Sequence, residues 1–225
     1  MLYIGAVVDS TIAEGPGQRF AVWAQGCTIR CPGCFNPHLW GPRGGTAVST
    51  ADLAARAIAA KDIGVEGVTL LGGEPFEQAT AFARFAAEVA VHGLSVMVFS
   101  GYERDQLVAP QAPVGSRELL SHTDLLVSGP FVAEHPDYDR PWVGSTNQEF
   151  HFLTDRYRHL ADELSVQPDR IEVRVAATGE VSVNGWATTD QLEKLLLTEG
   201  SGPALAPRFR RGTVDDFDRP PTHRS

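Results

Sequence analysis

Outside residues 27 to 34 the chain has no cysteine, and the three it has are an odd number. That fits a metal or redox site in a reducing compartment better than a disulfide framework. Excess positive charge is also missing: 19 Lys and Arg stand against 28 Asp and Glu, a net charge of -9. Phosphate contacts need a basic stripe, so no nucleic-acid partner is expected. Nothing approaches the roughly 20 consecutive apolar residues of a membrane span, and MLYIGAVVDS has no basic leader ahead of an apolar run, so no membrane association is expected either. These absences point to a cytoplasmic protein. No repeat recurs at solenoid periods. The remaining composition, 43% apolar and 21% charged over 225 residues, fits one substantial globular domain.

What is present is concentrated in WAQGCTIRCPGCFNPHLW, residues 23 to 40. Cys27, Cys31 and Cys34 are spaced C-x3-C-x2-C, so a tight loop brings three sulfurs to one centre. Structural zinc and iron-sulfur sites are ordinarily closed by four ligands. A 4Fe-4S cluster held by three cysteines keeps one iron open to a substrate or cofactor. His38, three residues after Cys34, leaves a second reading, a Cys3His zinc site, which counting alone does not distinguish. Trp23 and Trp40 flank the loop and read as packing that shields it.

Short apolar or alternating runs at 2 to 8 and 19 to 24, separated by the turn-rich EGPGQ, predict two strands, the second leading into the cysteine loop. After GPRGG at 41 to 45, Ser49 and Asp52 resemble a capping box, and Leu53, Ala57, Ala60 and Ile63 follow at helical spacing. VEGVTLL (65 to 71) predicts a buried strand running into GGEP. From Pro75 a helix carries Phe82, Phe85, Ala86 and Val89 on one face until Gly93. LSVMVFSGY (94 to 102) and LLVSGPF (125 to 131) predict further strands. Residues 132 to 149 read as a long polar surface loop, with Asn147 and Gln148 on it, and 155 to 164 as helical. The alternation in 170 to 176 and 180 to 186 predicts a β-hairpin, 189 to 197 a short amphipathic helix, and the Gly-, Pro- and charge-rich stretch from about 201 a disordered tail.

Alternating strands and helices are the pattern of parallel α/β units, whose functional loops gather at the strand carboxyl ends. The cysteines, GGEP and SGY each follow such a strand, so one rim would collect them. In GGEP, Gly72 and Gly73 let backbone approach a ligand closely, and Glu74 can accept hydrogen bonds from an ammonium group. An ordinary strand-to-helix turn with a carboxylate at the helix start is the plainer reading. His92, His122, His135 and His159 share no ligand spacing.

Taken together, the C-x3-C-x2-C loop and the GGE turn some forty residues on resemble the radical S-adenosylmethionine (SAM) enzymes. EGPGQRFAVWAQGCTIRCPGCFNP is similar to the amino-terminal signature of glycyl-radical activating enzymes, and CPGCFNPHLW is most like the branch that activates anaerobic ribonucleotide reductase. SGY at 100 to 102, TDLLVSGPF at 123 to 131 and VGSTNQ at 143 to 148 resemble later blocks of that branch, so the likeness covers roughly residues 1 to 153. The wider superfamily usually has an aromatic before the last cysteine. Gly33 stands there in this chain, with Phe35 just beyond the cysteine.

The resemblance implies an α/β fold of the partial, incomplete β/α-barrel type, with a C-terminal β-hairpin and helix. Its expected divisions are a core over 1 to 153, an extension over 154 to 200 packed on the core, and a tail over 201 to 225. It implies one 4Fe-4S cluster ligated by Cys27, Cys31 and Cys34. It further implies SAM held by Gly72, Gly73, Glu74 and Pro75, with Asn36 and Ser100 as further contacts. An external one-electron donor such as flavodoxin or ferredoxin reduces the cluster, SAM is split reductively to a 5'-deoxyadenosyl radical, and that radical takes one hydrogen atom from a protein substrate, a glycyl-radical enzyme. The protein's part is to position the reacting groups and exclude water. A radical SAM enzyme acting on a peptide or small molecule, and the Cys3His zinc domain, are the alternative readings.

Overall fold

Seven strands form one mixed sheet in the order β3-β1-β2-β4-β5-β6-β7. The computed structural model describes residues 1–167, 170–175, 178–179 and 181–185. The helix expected over 189 to 197 and the tail from 201 lie outside these described residues. The strands are β1 (Leu2–Thr11), β2 (Arg19–Ala24), β3 (Thr46–Val48), β4 (Gly67–Gly72), β5 (Ser95–Ser100), β6 (Leu125–Ser128) and β7 (Glu149–Phe152). β2, β4, β5 and β6 run parallel, whereas β1 is antiparallel to β2 and β3, and β7 to β6. The architecture is therefore mixed α/β with a parallel centre. The four parallel strands carry near-continuous burial, as expected for strands covered on both faces.

Helices cover one face. In α1 (Thr50–Ala59), Ser49 Oγ accepts the Asp52 N–H at 3.4 Å, giving one half of the expected capping box. The segment after GGEP begins as a 3-10 turn over Pro75–Gln78 and becomes α2 (Ala79–Val91) one turn later than the apolar spacing suggested. Glu74 is the reason, since its side chain caps that tight first turn through the Phe76 N–H. Phe82 and Phe85 of α2 are fully buried with α1, α3 (Arg104–Val108) and α4 (Ser116–Ser121) against the sheet. Each such side chain contributes roughly 2–3 kcal/mol.

The opposite face corrects one expectation. Residues 132 to 149 do not form a plain surface loop: Trp142, Val143 and Ser145 are buried, and the chain continues into β7. Trp142 and Val143 pack with Met97, Leu125 and Val127, which need cover on this side because β5 and β6 are interior strands. Residues 155 to 164 coil as short 3-10 turns, Arg158–Asp162 and Leu164–Val166, rather than as one helix.

β8 (Ile171–Val175) and β9 (Val181–Gly185) form the expected hairpin as a separate two-stranded sheet. It is tied to the end of β1 by polar groups. Glu172 Oε1 accepts the Ile12 N–H at 2.9 Å, Arg174 donates to Ser10 O at 2.8 Å, and Asn184 donates to Thr11 Oγ1 at 3.0 Å and to the buried Glu14 at 3.2 Å. Val173, Val175 and Val183 are left exposed.

A buried cation joins the parallel centre to residues beyond 153. Arg19, wholly inaccessible at the start of β2, donates to Thr69 Oγ1 (3.0 Å), Ser95 Oγ (2.5 Å), Tyr157 OH (2.8 Å) and the Val68 carbonyl. Among the described residues no carboxylate lies within ion-pair distance of it, so neutral oxygens carry the solvation. Burial lowers its pKa. Tyr157→Phe removes one acceptor from the guanidinium and one partner from Ser95. We expect it to lower unfolding stability by about 2 kcal/mol, read from the denaturant midpoint.

Candidate iron-sulfur and cofactor site

The carboxyl ends of the four parallel strands lie level. Ala24 pairs with Gly72, Leu70 with Val98, and Ser100 with Ser128. The cysteine loop, GGEP, SGY and SGPF therefore leave the sheet along one edge, as expected from their order in the chain.

Two backbone bonds tie the GGEP turn to the root of the cysteine loop. Gly73 N–H donates to Ala24 O at 2.9 Å, and Glu74 N–H donates to Gly26 O at 2.8 Å. The contact is close enough that a Cβ on Gly73 would stand 2.3 Å from Gly26 O and 2.8 Å from Ala24 O, both backbone atoms that cannot swing away. Gly73→Ala should therefore push the turn off the loop and cost at least about tenfold in cluster retention after reconstitution, as misplaced supports do at metal sites.

Each cysteine sulfur receives backbone N–H groups. Cys27 accepts from Ile29 and Arg30, Cys31 from Phe131, and Cys34 from Asn36 at 3.3 Å. Burial pushes the Cys27 and Cys31 thiols up, and these N–H groups oppose it. Were the three cysteines to hold iron, they would do so as thiolates, and these N–H groups would face the thiolate charge. Among the described residues no three Cys, His, Asp or Glu side chains converge on a single-ion position. Thiolates sharing one zinc sit ~2.3 Å from it, hence within about 4 Å of one another. Thiolates on a 4Fe-4S cube bind separate irons and stand farther apart. His38 is exposed in a 3-10 turn, Pro37–Leu39, so the Cys3His arrangement is not assembled. The indole nitrogen of Trp40, whose carbonyl accepts the Cys27 N–H at 3.1 Å, is buried with no hydrogen-bond partner among the described residues.

Glu74 is 1% exposed. Oε1 accepts from Phe76 N–H and Ser100 Oγ, both at 3.0 Å, and Oε2 accepts from Gly101 N–H at 2.8 Å. A carboxylate offers about four acceptor positions, so one remains on Oε2. Burial pushes its pKa up to about 7, while these three donors pull the other way. Pro75 is buried at the head of the turn. Ser100 reaches the site through Glu74, and Asn36 through its main chain.

Several residues here were not anticipated. Thr28 donates both its N–H (2.6 Å) and its hydroxyl (2.5 Å) to Glu77 Oε1. Gln78 accepts the Tyr3 N–H and donates to Tyr3 O and Gln25 O, while Gln25 reaches Gly41 O at 2.6 Å. Their signal in the sequence is faint, polar side chains just past a glycine turn. Phe131 contributes a main-chain N–H, which no side-chain pattern reveals. Asn147, exposed as expected of a polar surface loop, and Gln148, half-buried, both brace backbone. Asn147 donates to Pro130 O at 2.7 Å, and Gln148 accepts from Gly144 and Ser145 and donates to Gly129 O. They hold the SGPF segment whose Phe131 N–H meets Cys31. The glycine at position 33 has a backbone cause: its φ is +77°, a left-handed value that favours glycine. The Phe35 ring, just beyond the last cysteine, lies 5.4 Å from that of Phe131.

Comparison with known proteins agrees with this geometry. The 4Fe-4S single cluster domain family matches residues 13–151. The anaerobic ribonucleoside-triphosphate reductase-activating protein of Salmonella typhi is 32% identical over 149 residues, 63% of this chain and 93% of that protein. The Escherichia coli K12 protein of the same name is 31% identical over 150 residues, with the same coverage. The pyruvate formate-lyase-activating enzyme of Listeria monocytogenes is 43% identical over 75 residues, 32% of this chain and 30% of that enzyme. The chain belongs to the 4Fe-4S single cluster domain family and, within it, to the glycyl-radical activating branch of the radical SAM enzymes.

Proposed function

We propose that this chain activates a glycyl-radical enzyme of the anaerobic ribonucleotide reductase kind, using a 4Fe-4S cluster and SAM. The observation that carries the reading is the junction of two motifs: the turn bearing Glu74 is bonded by its backbone to the root of the loop bearing all three cysteines. Cys27, Cys31 and Cys34 ligate the cluster in this reading, and Gly72, Gly73, Glu74 and Pro75 hold the methionine end of SAM. When bound, the reduced cluster supplies the electron that splits SAM into methionine and a carbon radical able to take a hydrogen atom.

The chain's own groups then have defined tasks. Backbone N–H groups stabilise thiolate charge. Glu74 keeps one acceptor position for the amino N–H of SAM and is held in place by Ser100 and Gly101. The Phe35 ring, largely exposed, rests against that of Phe131 beside the loop. The fold is the partial β/α barrel of the radical SAM enzymes, its open edge carrying these groups. The core spans 1 to 153, and the hairpin extension packs beside β1. The electron donor is an external one-electron carrier, and the site of action is the cytoplasm. Among the described residues no helix is long and apolar enough to cross a membrane.

The test is direct. Reduced, cluster-loaded protein mixed with SAM and the glycyl-radical reductase encoded in the same genome should give a glycyl radical signal by electron paramagnetic resonance. Cleavage of SAM with no radical on the reductase would point instead to a peptide or small-molecule substrate.

A further inference from the structure

Among the polar groups around the cysteine loop, the carboxylate of Glu77 is assigned no part in the function proposed above. It stands three residues past Glu74 on the same 3-10 turn, its N–H bonded to Glu74 O at 3.1 Å, and its Oε1 takes both hydrogen-bonding groups of Thr28. Thr28 immediately follows Cys27 and opens the three-residue span to Cys31. That span is conformationally demanding. Arg30 has φ +53°, a left-handed value that costs a non-glycine residue about 1 kcal/mol or more and persists only where its surroundings impose it. Within the span the Ile29 and Arg30 N–H groups turn toward Cys27 Sγ. The Ile29 side chain closes over Gly101, where a Cβ would come within 2.7 Å of it. Tyr102 shares a further hydrogen bond with the Thr28 side chain.

We propose that Glu77 is a positioning residue for the iron-sulfur site: by gripping Thr28 it fixes the Cys27–Arg30 turn, and so the Cys27 sulfur, against the turn that carries Glu74. The inference rests on Cys27, Cys31 and Cys34 being the cluster ligands. A plainer role exists, because a carboxylate in the first turn of a helix gains a few tenths of a kcal/mol from the dipole. That role concerns folding alone and does not involve the cluster. Grip and dipole therefore separate in the assay. Glutamine keeps an oxygen able to accept both Thr28 groups and drops the charge, whereas alanine removes the acceptor.

Wild type, Glu77→Gln, Glu77→Ala and Thr28→Val are reconstituted anaerobically with iron and sulfide. Decay of the visible cluster absorbance is then followed after addition of an iron chelator, and unfolding of each apoprotein is measured alongside. Glu77→Ala should lose its cluster roughly tenfold faster than wild type, the low end for removing an outer-shell partner. Thr28→Val, which keeps the N–H bond, should fall between the two, Glu77→Gln should stay within about twofold of wild type, and the apoproteins should unfold alike. Equal decay in wild type and Glu77→Ala overturns the proposal and leaves the cluster reading intact. So does a Glu77→Gln cluster as labile as that of Glu77→Ala, because charge rather than the grip would then be responsible. A wild-type protein that takes up no cluster overturns the ligand assignment and this proposal with it.

Discussion

Replacing any one of Cys27, Cys31 or Cys34 by Ala should abolish the cluster: iron and sulfide fall to background after anaerobic reconstitution, the visible absorbance is lost, and SAM is no longer cleaved. The expectation is all-or-none because three protein thiolates are already the minimum that leaves one iron for SAM, and the chain has no fourth cysteine to substitute. The three variants should nevertheless fold. Each cysteine is only partly buried in the loop, and none belongs to the two hydrophobic clusters that hold the sheet. Circular dichroism and denaturant midpoints near those of the wild-type apoprotein, alongside absent iron, would separate ligand loss from unfolding. A single variant that retained full iron content and SAM cleavage would remove its residue from the ligand set.

Glu74 gives the second large effect, expressed as a pH dependence. Burial raises its folded-state pKa to about 7 from the ordinary 4.5. The native protein therefore holds this proton where the unfolded chain has released it. The stability this adds is fully present below about 4.5 and is lost as pH rises through about 7, up to roughly 3 kcal/mol across the window. Ligand binding has the opposite sign. The ionised carboxylate is the better acceptor for the amino N–H of SAM, so affinity should rise through the same interval. One unit below a pKa of about 7 only about a tenth of the groups are ionised, so SAM binding should weaken roughly tenfold from pH 8 to pH 6.

The amino group of SAM titrates as well, and Glu74→Gln separates the two. Its binding should be weaker by roughly tenfold or more at pH 8, and the part of the pH slope due to Glu74 should vanish, as read by equilibrium dialysis with cluster-loaded protein. Alanine is the poorer probe. It would leave Phe76 N–H, Gly101 N–H and Ser100 Oγ unpaired in a buried place, at about 1–3 kcal/mol each, and mix collapse of the turn with loss of the contact. Unchanged affinity and an unchanged profile in Glu74→Gln would show that SAM does not meet this carboxylate.

The parallel centre and its rim were legible because β2, β4, β5 and β6 are short apolar runs ending in Gly, Ser or cysteine-bearing turns, a pattern local to each segment. The outer strands were not. β3 has three residues, and β7 starts at the last residue of the stretch read as a polar loop, its other three residues carrying no strand reading. Trp142 and Val143 are apolar residues among charges and prolines, and only the face of β5 and β6 that they cover shows why they turn inward. At the site, the cysteines and Glu74 were visible by residue type and spacing. The Phe131 N–H and the Glu77 grip on Thr28 were not, since one is main chain and the other joins residues 49 apart. His38 was attractive on spacing alone, yet the 3-10 turn leaves it exposed.

The central claim is that one rim holds the cluster and SAM together. The measurement that meets it most directly is product analysis of anaerobically reconstituted, chemically reduced protein given SAM alone. The account predicts that methionine and 5'-deoxyadenosine form together in equal amounts, only in protein that carries the cluster. A protein that takes up zinc in place of iron, or that carries its full cluster and leaves SAM intact, would contradict it.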